Sequence, residues 1–231
     1  MVLQAILVAV LGGIICLDRI VLQAMISRPI VTGPLIGFLL HDPYTGLITG
    51  AFIELFWIDR LPIGTYIPPN DTLATIIITA AAILCGQQIG HTSRELIALT
   101  FLLFLPVGIL GQKLDAWKLK QNELRVRQAT EEAKIADCNG ICRKHRQSIW
   151  QALFFDVIFI LMILIPATIL MSYIYPKLPV IVMKALVYIY FLLPILGVGI
   201  ALNTIHVRGK IPVFCGLFLT VSILIELFRH G

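Results

Sequence analysis

Along the 231 residues, apolar stretches alternate with short polar breaks. The apolar stretches run over Val2–Leu17, Ile30–Leu40, Tyr44–Ile58, Leu73–Ile89, Leu96–Leu110, Trp150–Ile174, Val180–Leu202 and Ile211–Phe228. A membrane-crossing helix needs about 20 mostly apolar residues. The last three stretches meet that length, and the first five are shorter and more interrupted. The pattern predicts an all-α polytopic membrane protein with six to eight transmembrane or re-entrant helical segments. The N-terminal stretch has no basic flank and no small-residue cleavage site, so it reads as a retained first helix rather than a signal peptide.

The breaks are concentrated in the first half. Of 17 glycines, 11 lie before Gln112, as do seven of 12 prolines and six of 13 acidic residues. Broken helices persist in a bilayer only where protein or a water-filled cavity covers the freed backbone, and transporters build binding sites from such segments. Residues 61–71, LPIGTYIPPND, contain three prolines and exclude a helix there. Residues 113–149 have a different character. Nine of the 18 Lys and Arg residues fall between Lys113 and Arg146, with few helix breakers before Asn139-Gly140. This predicts a long amphipathic helix followed by a turn, with Leu114, Trp117, Leu124 and Ala133 on its packed face. The basic excess places it in the cytoplasm. The chain thus divides into a broken-helix half, 1–112, a basic cytoplasmic segment, 113–149, and three crossings, 150–231, the last leaving the C-terminus outside.

Composition supports the membrane class: 58% hydrophobic residues, 13% charged and a mean hydropathy of +0.93 exceed what a soluble domain can hide. Acidic residues interleave with the basic ones and no reading motif appears, so nucleic acid is not an expected partner. Cys138, Cys142 and His145 are spaced C-x3-C-x2-H without an evident fourth ligand, so they read as reduced thiols and a surface histidine. No metal or cofactor is expected.

Three polar clusters carry the candidate chemistry: Leu17–Pro29, His41–Gly46, and Glu54 with the Pro-rich break. An ionisable group within an apolar span is costly and marks a functional candidate. Glu54, beside Phe56 and Trp57, suits a sugar, because the carboxylate accepts from hydroxyls and a ring face covers the C–H side. A structural role pairing it with Arg28 or Arg60 is an equal reading. Asn70 and Asp71 can contact a ligand or cap the following helix. Gln23 can donate and accept, or pack between helices; Arg28 and Arg19 can anchor at the interface. Asp42 before Pro43 reads as a turn residue.

Taken in order, Arg28-Pro29, Gly33 with Gly37, Asp42 with Gly46, Gly50-Ala51 with Glu54-Leu55, and Pro69 with Asp71 before Leu73-Ala74 resemble the IIC subunit of the mannose/fructose/sorbose family of the bacterial phosphotransferase system. His41 departs from the family's usual glycine before the aspartate. The resemblance implies a multi-pass permease subunit of the bacterial inner membrane. Such a subunit binds and translocates a hexose-type sugar for phosphorylation by a cytoplasmic IIB subunit that IIA serves, works with a IID membrane subunit, and carries no phosphorylated residue of its own; an oligomer is expected from the closely spaced glycines of the first half, which let helices approach. The resemblance places the motif positions Arg28, Glu54 and Asp71 near the translocation path; Asn70 and Gln23, which also break helical apolarity and can hydrogen-bond a hydroxyl, join them as candidate sugar contacts, with the Pro-rich break as the tip of a re-entrant hairpin facing Glu54. The alternatives are a non-transporting sensor or assembly module descended from such a permease, and an intramembrane enzyme using Glu54 and Asp71 as an acid pair.

Overall fold

Polar side chains at the helix ends punctuate this chain, and the computed structural model, which describes residues 1–60, 63–204 and 215, shows how. Helix α1, Val2–Leu17, runs into a π-turn, Asp18–Leu22, that closes at Gln23 with φ 54°. α2, Pro29–Leu39, begins with proline at its first position, where the missing N–H costs nothing. α3, Pro43–Phe56, starts the same way, and Asp42 accepts from Thr45 N at 3.0 Å and Thr45 Oγ1 at 2.6 Å. Asp42 is therefore an N-cap as well as the turn residue the sequence suggested. α4, Asp71–Ile89, is capped by Asn70, which accepts from Leu73 N at 2.9 Å, and stops at Gly90 with φ 108°. α5, Arg94–Phe104, is capped by Ser93. α6, Val107–Lys134, follows α5 across a 40° bend at Leu105–Pro106.

The turn expected at Asn139-Gly140 lies earlier, at residues 135–137. Asp137 accepts from Gly140 N at 3.0 Å and so draws Asn139 and Gly140 into the first turn of α7, Cys138–Ile174. α7 is one helix of 37 residues, so the division expected between residues 149 and 150 falls inside it, and that between 112 and 113 falls inside α6. α8, Val180–Thr204, completes the described chain. Apart from Cys215, the apolar stretch Ile211–Phe228 lies outside the described residues.

α4 is the central helix. From Thr72 to Gly86 every side chain is buried, against α1, α2, α3 and α7 among others. α2 and α3 form an antiparallel hairpin in which the backbones touch: a Cβ added at Gly33 would lie 2.2 Å from Gly46 O, and one at Gly50 would lie 2.3 Å from Pro29 O. Only glycine permits that approach. Four described helices are long and apolar enough to cross a membrane, or five if the bent α5–α6 pair is one span. α2 and α3, at 11 and 14 residues, fall short of a crossing.

Candidate functional site

The end of α1, the start of α2, the end of α3 and the start of α4 meet at one end of the bundle. A cavity of about 430 Å³ opens there, lined by Asp18, Arg19, Gln23, Ser27, Arg28, Trp57, Arg60, Pro68, Pro69 and Asp71, with Met25 at its edge. The walls have two chemistries. Carboxylates and guanidinium groups supply acceptors and donors, while the indole and the two prolines supply apolar faces. The indole of Trp57 lies over Gly108 at the start of α6; a Cβ there would meet the ring at 2.4 Å.

Asp18 organises the floor. Its Oδ1 accepts from Ala24 N at 2.8 Å, and its Oδ2 accepts from Ser27 N and Ser27 Oγ, both at 3.0 Å. These bonds fold the segment after α1 into a tight loop that delivers Gln23 and Arg28 to the same cavity. Asp18 was not among the candidates from the sequence, although an aspartate followed by a break and a serine is the kind of residue that closes such turns. Thr72 Oγ1 donates to Ser27 O at 2.7 Å and ties this loop to α4.

Of the five candidates, Gln23, Arg28 and Asp71 line the cavity. Asp71 Oδ1 receives Arg19 Nη1 at 3.3 Å and Thr72 N at 2.9 Å. Glu54 stands behind the wall: its Oε1 receives Arg28 Nη1 at 3.1 Å and its Oε2 receives Ile30 N at 3.3 Å. Glu54 thus turns toward α2, satisfying one of the amides left free at that helix start, and it orients the guanidinium that reaches the cavity. Arg60 pairs instead with its neighbour Asp59 at 3.4 Å. Asn70 is 2% exposed and fully engaged. It caps α4, its backbone N donates to Gly108 O at 2.8 Å, and its Nδ2 donates to Asp115 Oδ2 at 2.7 Å. Gln112 Nε2 donates to Ile67 O and holds the Pro-rich stretch against α6.

Asn70 leads into a buried ionic chain absent from the sequence reading. Asp115 pairs with Lys118 at 2.8 Å, and Lys118 pairs with Asp156 of α7 at 2.7 Å. Asp156 is completely buried. No group of three His, Cys, Asp or Glu able to hold a metal occurs among the described residues; Cys138 and Cys142 are exposed free thiols.

Comparison with known proteins places this architecture. The profile of the family described as the phosphotransferase-system sorbose-specific IIC component matches residues 2–228. A putative N-acetylgalactosamine permease IIC component 2 of Escherichia coli (strain K12) is 39% identical over 86 residues, 37% of this chain and 65% of that protein; the match therefore spans less than two thirds of that relative. The sorbose-specific EIIC component of Lacticaseibacillus casei is 25% identical over 92% of this chain and 74% of its own length. Among solved structures, one titled as the structure of a membrane protein aligns with a TM-score of 0.73 at 22% identity, covering all of this chain and 91% of that one. The mannose transporter ManYZ in complex with microcin E492 aligns with a TM-score of 0.60 at 22% identity, covering all of this chain and 90% of that one. At that identity the two structures speak for the fold, and the profile match over nearly the whole chain decides the family. With its broken helices meeting at one polar cavity, the chain belongs to the sorbose-specific IIC component family of the phosphotransferase system, a family of sugar permeases.

Proposed function

We propose that this chain is the sugar-binding membrane subunit of a phosphotransferase-system transporter in the bacterial inner membrane. It binds a hexose-type sugar in the cavity at the broken helix ends. The observation that carries the proposal is the convergence of Gln23, Arg28 and Asp71 with Trp57 on one 430 Å³ cavity. Hydroxyls of a pyranose bond to the carboxylate, amide and guanidinium, and the indole covers its apolar face. Asn70 and Glu54 act from behind this surface, the first by fixing the start of α4 and the second by orienting Arg28.

The sugar is then presented to a cytoplasmic IIB subunit, itself served by IIA, which phosphorylates it. A IID subunit and further copies of the complex cover apolar surface that the chain exposes, such as Ile181, Tyr188 and Ile195 on α8. The permease reading is favoured over the enzyme alternative in that Glu54 and Asp71 are each paired with a different arginine rather than with each other. In vesicles holding this chain and its IID partner, with phosphorylated IIA and IIB inside, we expect external hexose to appear inside as sugar phosphate, the phosphoryl group passing from the phosphohistidine of IIB to a sugar hydroxyl. Uptake without any of these partners, or binding of hexose with no uptake in their presence, contradicts the permease reading; the second outcome identifies a sensor.

Orientation has its own test. The α6–α7 hairpin carries half of all Lys and Arg residues, and basic loops stay inside. In a background without native cysteines, Lys120→Cys is expected to resist an impermeant thiol reagent in intact cells and to react after permeabilisation. Ready labelling from outside overturns that orientation.

A further inference from the structure

A second cavity, of about 180 Å³, lies beside the first. It is lined by Cys16, Arg19, Asn70, Asp115, Lys118, Asn122 and Asp156, with Ile20 and Leu119 completing the wall. Arg19 lines both cavities, so its ion pair with Asp71 stands between them. That pair is long, 3.3 Å, and both side chains keep about a quarter of their surface exposed. A pair of this kind contributes little and opens readily.

Asp156 is the unusual member of this wall. It is 0% exposed. Its Oδ1 is taken by Lys118, and its Oδ2 has no hydrogen-bond partner among the described residues. A buried carboxylate oxygen without a donor is costly, so the site calls for a molecule that donates. The neighbouring charges decide which class. Arg19 and Lys118 balance Asp115 and Asp156, so the wall has no net charge to attract an ion of either sign. Lys118 already holds the position a metal cation would take between the two carboxylates. Donors remain on Arg19, whose guanidinium has five N–H groups, and on Lys118, and an acceptor remains on Asp156. Donors and an acceptor around a neutral space suit a compound with adjacent hydroxyls. The volume corresponds to about six waters at roughly 30 Å³ each, the room of a compact polyol.

We infer that this cavity is a second hydroxyl-binding chamber, set behind the Arg19–Asp71 pair and taking a neutral polyol up to the size of a single sugar ring. It deepens the permease reading and rests on it for the natural ligand, which is the transported sugar held past the first cavity.

Cys16 lies on the chamber wall and provides a reporter. The full chain, with its IID partner and with its other four cysteines changed to alanine, is treated with methyl methanethiosulfonate in the presence of erythritol or of each hexose in a panel. Cys16 is 3% exposed, so it is expected to react slowly, and saturating erythritol to slow the reaction at least fivefold further. Asp156→Asn keeps the Lys118–Asp115 contact and removes the charged acceptor; it is expected to raise the erythritol concentration for half-protection about tenfold. If that variant does not fold, Asn122→Ala on the same wall serves, with about a threefold rise expected. An unreactive Cys16, no protection, or protection unchanged in the folded variant overturns the chamber. Gln23→Cys reports separately on the first cavity. Hexose protection there with none at Cys16 removes the chamber and leaves the permease reading intact. Erythritol protection at Cys16 with no hexose protection at either position does the reverse.

Discussion

Lys118→Met is expected to lower the stability of the folded chain by about 3–5 kcal/mol, the usual cost of leaving one partner of a buried pair behind. The ammonium lies 2.7 Å from Asp156 Oδ1 and 2.8 Å from Asp115 Oδ1, and Asp156 is buried. Methionine fills similar space but leaves that carboxylate without a countercharge. Asp115 suffers less, because Asn70 Nδ2 still donates to it. The double variant Lys118→Met/Asp156→Leu is expected to recover most of the loss, since an apolar pair of similar volume often replaces a buried ion pair without penalty. Unfolding midpoints in detergent for the two variants and the parent check this. A loss below about 1 kcal/mol for Lys118→Met, the range of an exposed pair, would show that the Lys118–Asp156 pair is solvated, contrary to its burial here.

A second large effect is expected at the α2–α3 contact. Gly33→Ala places a methyl group 2.2 Å from Gly46 O and 3.0 Å from Gly50 Cα. Those atoms are backbone, so no rotamer change relieves the clash and the two helices must separate. Overpacking costs typically about 1–3 kcal/mol; here it also pulls Arg28 away from Glu54, because the two lie on the separating helices. We expect a marked loss of folded yield and of unfolding midpoint. Gly199→Ala is the control, as nothing lies within 4 Å of its added Cβ. Equal behaviour of the two variants would mean that α2 and α3 are not in backbone contact.

The helices that the sequence delimited best are those whose ends carry chemistry of their own. α1 ends at Leu17, the last residue of its apolar run, and α4 begins at Asp71 because Asn70 caps it. Pro29 and Pro43 mark helix starts that any reading of proline would place. The break residues Gln23, Arg28 and Asp71 reach one cavity for a related reason: each sits at an end of a helical segment, and those ends coincide in space. Two candidates had readings that composition could not separate. Glu54 was as compatible with Arg28 as with a sugar, and Asn70 as compatible with a cap as with a ligand; the structure pairs the first and caps with the second.

What was not legible depends on packing between distant segments. Asp115 and Lys118 lie in a charged stretch that reads as solvated. They are covered because α7 continues unbroken from the hairpin tip and packs along α6. Asp156 was the available signal, a single carboxylate within the apolar run Trp150–Ile174, and a charge at membrane depth requires a partner. The bend at Pro106 falls at a proline inside an apolar run, and the ring of Trp57 packs against Gly108 just beyond it.

The claim that the first cavity holds the sugar is tested most directly by equilibrium binding of a panel of hexoses to the purified chain with its IID partner, in the parent and in Asp71→Asn. Asp71 lines the cavity and carries no cap that the fold depends on, since Asn70 supplies it. Losing a charged hydrogen-bond acceptor is worth about 1.5–3 kcal/mol. The account therefore predicts that one hexose binds the parent, and that Asp71→Asn weakens it by about one to two orders of magnitude at unchanged protein yield. Parent-like affinity in folded Asp71→Asn would contradict it.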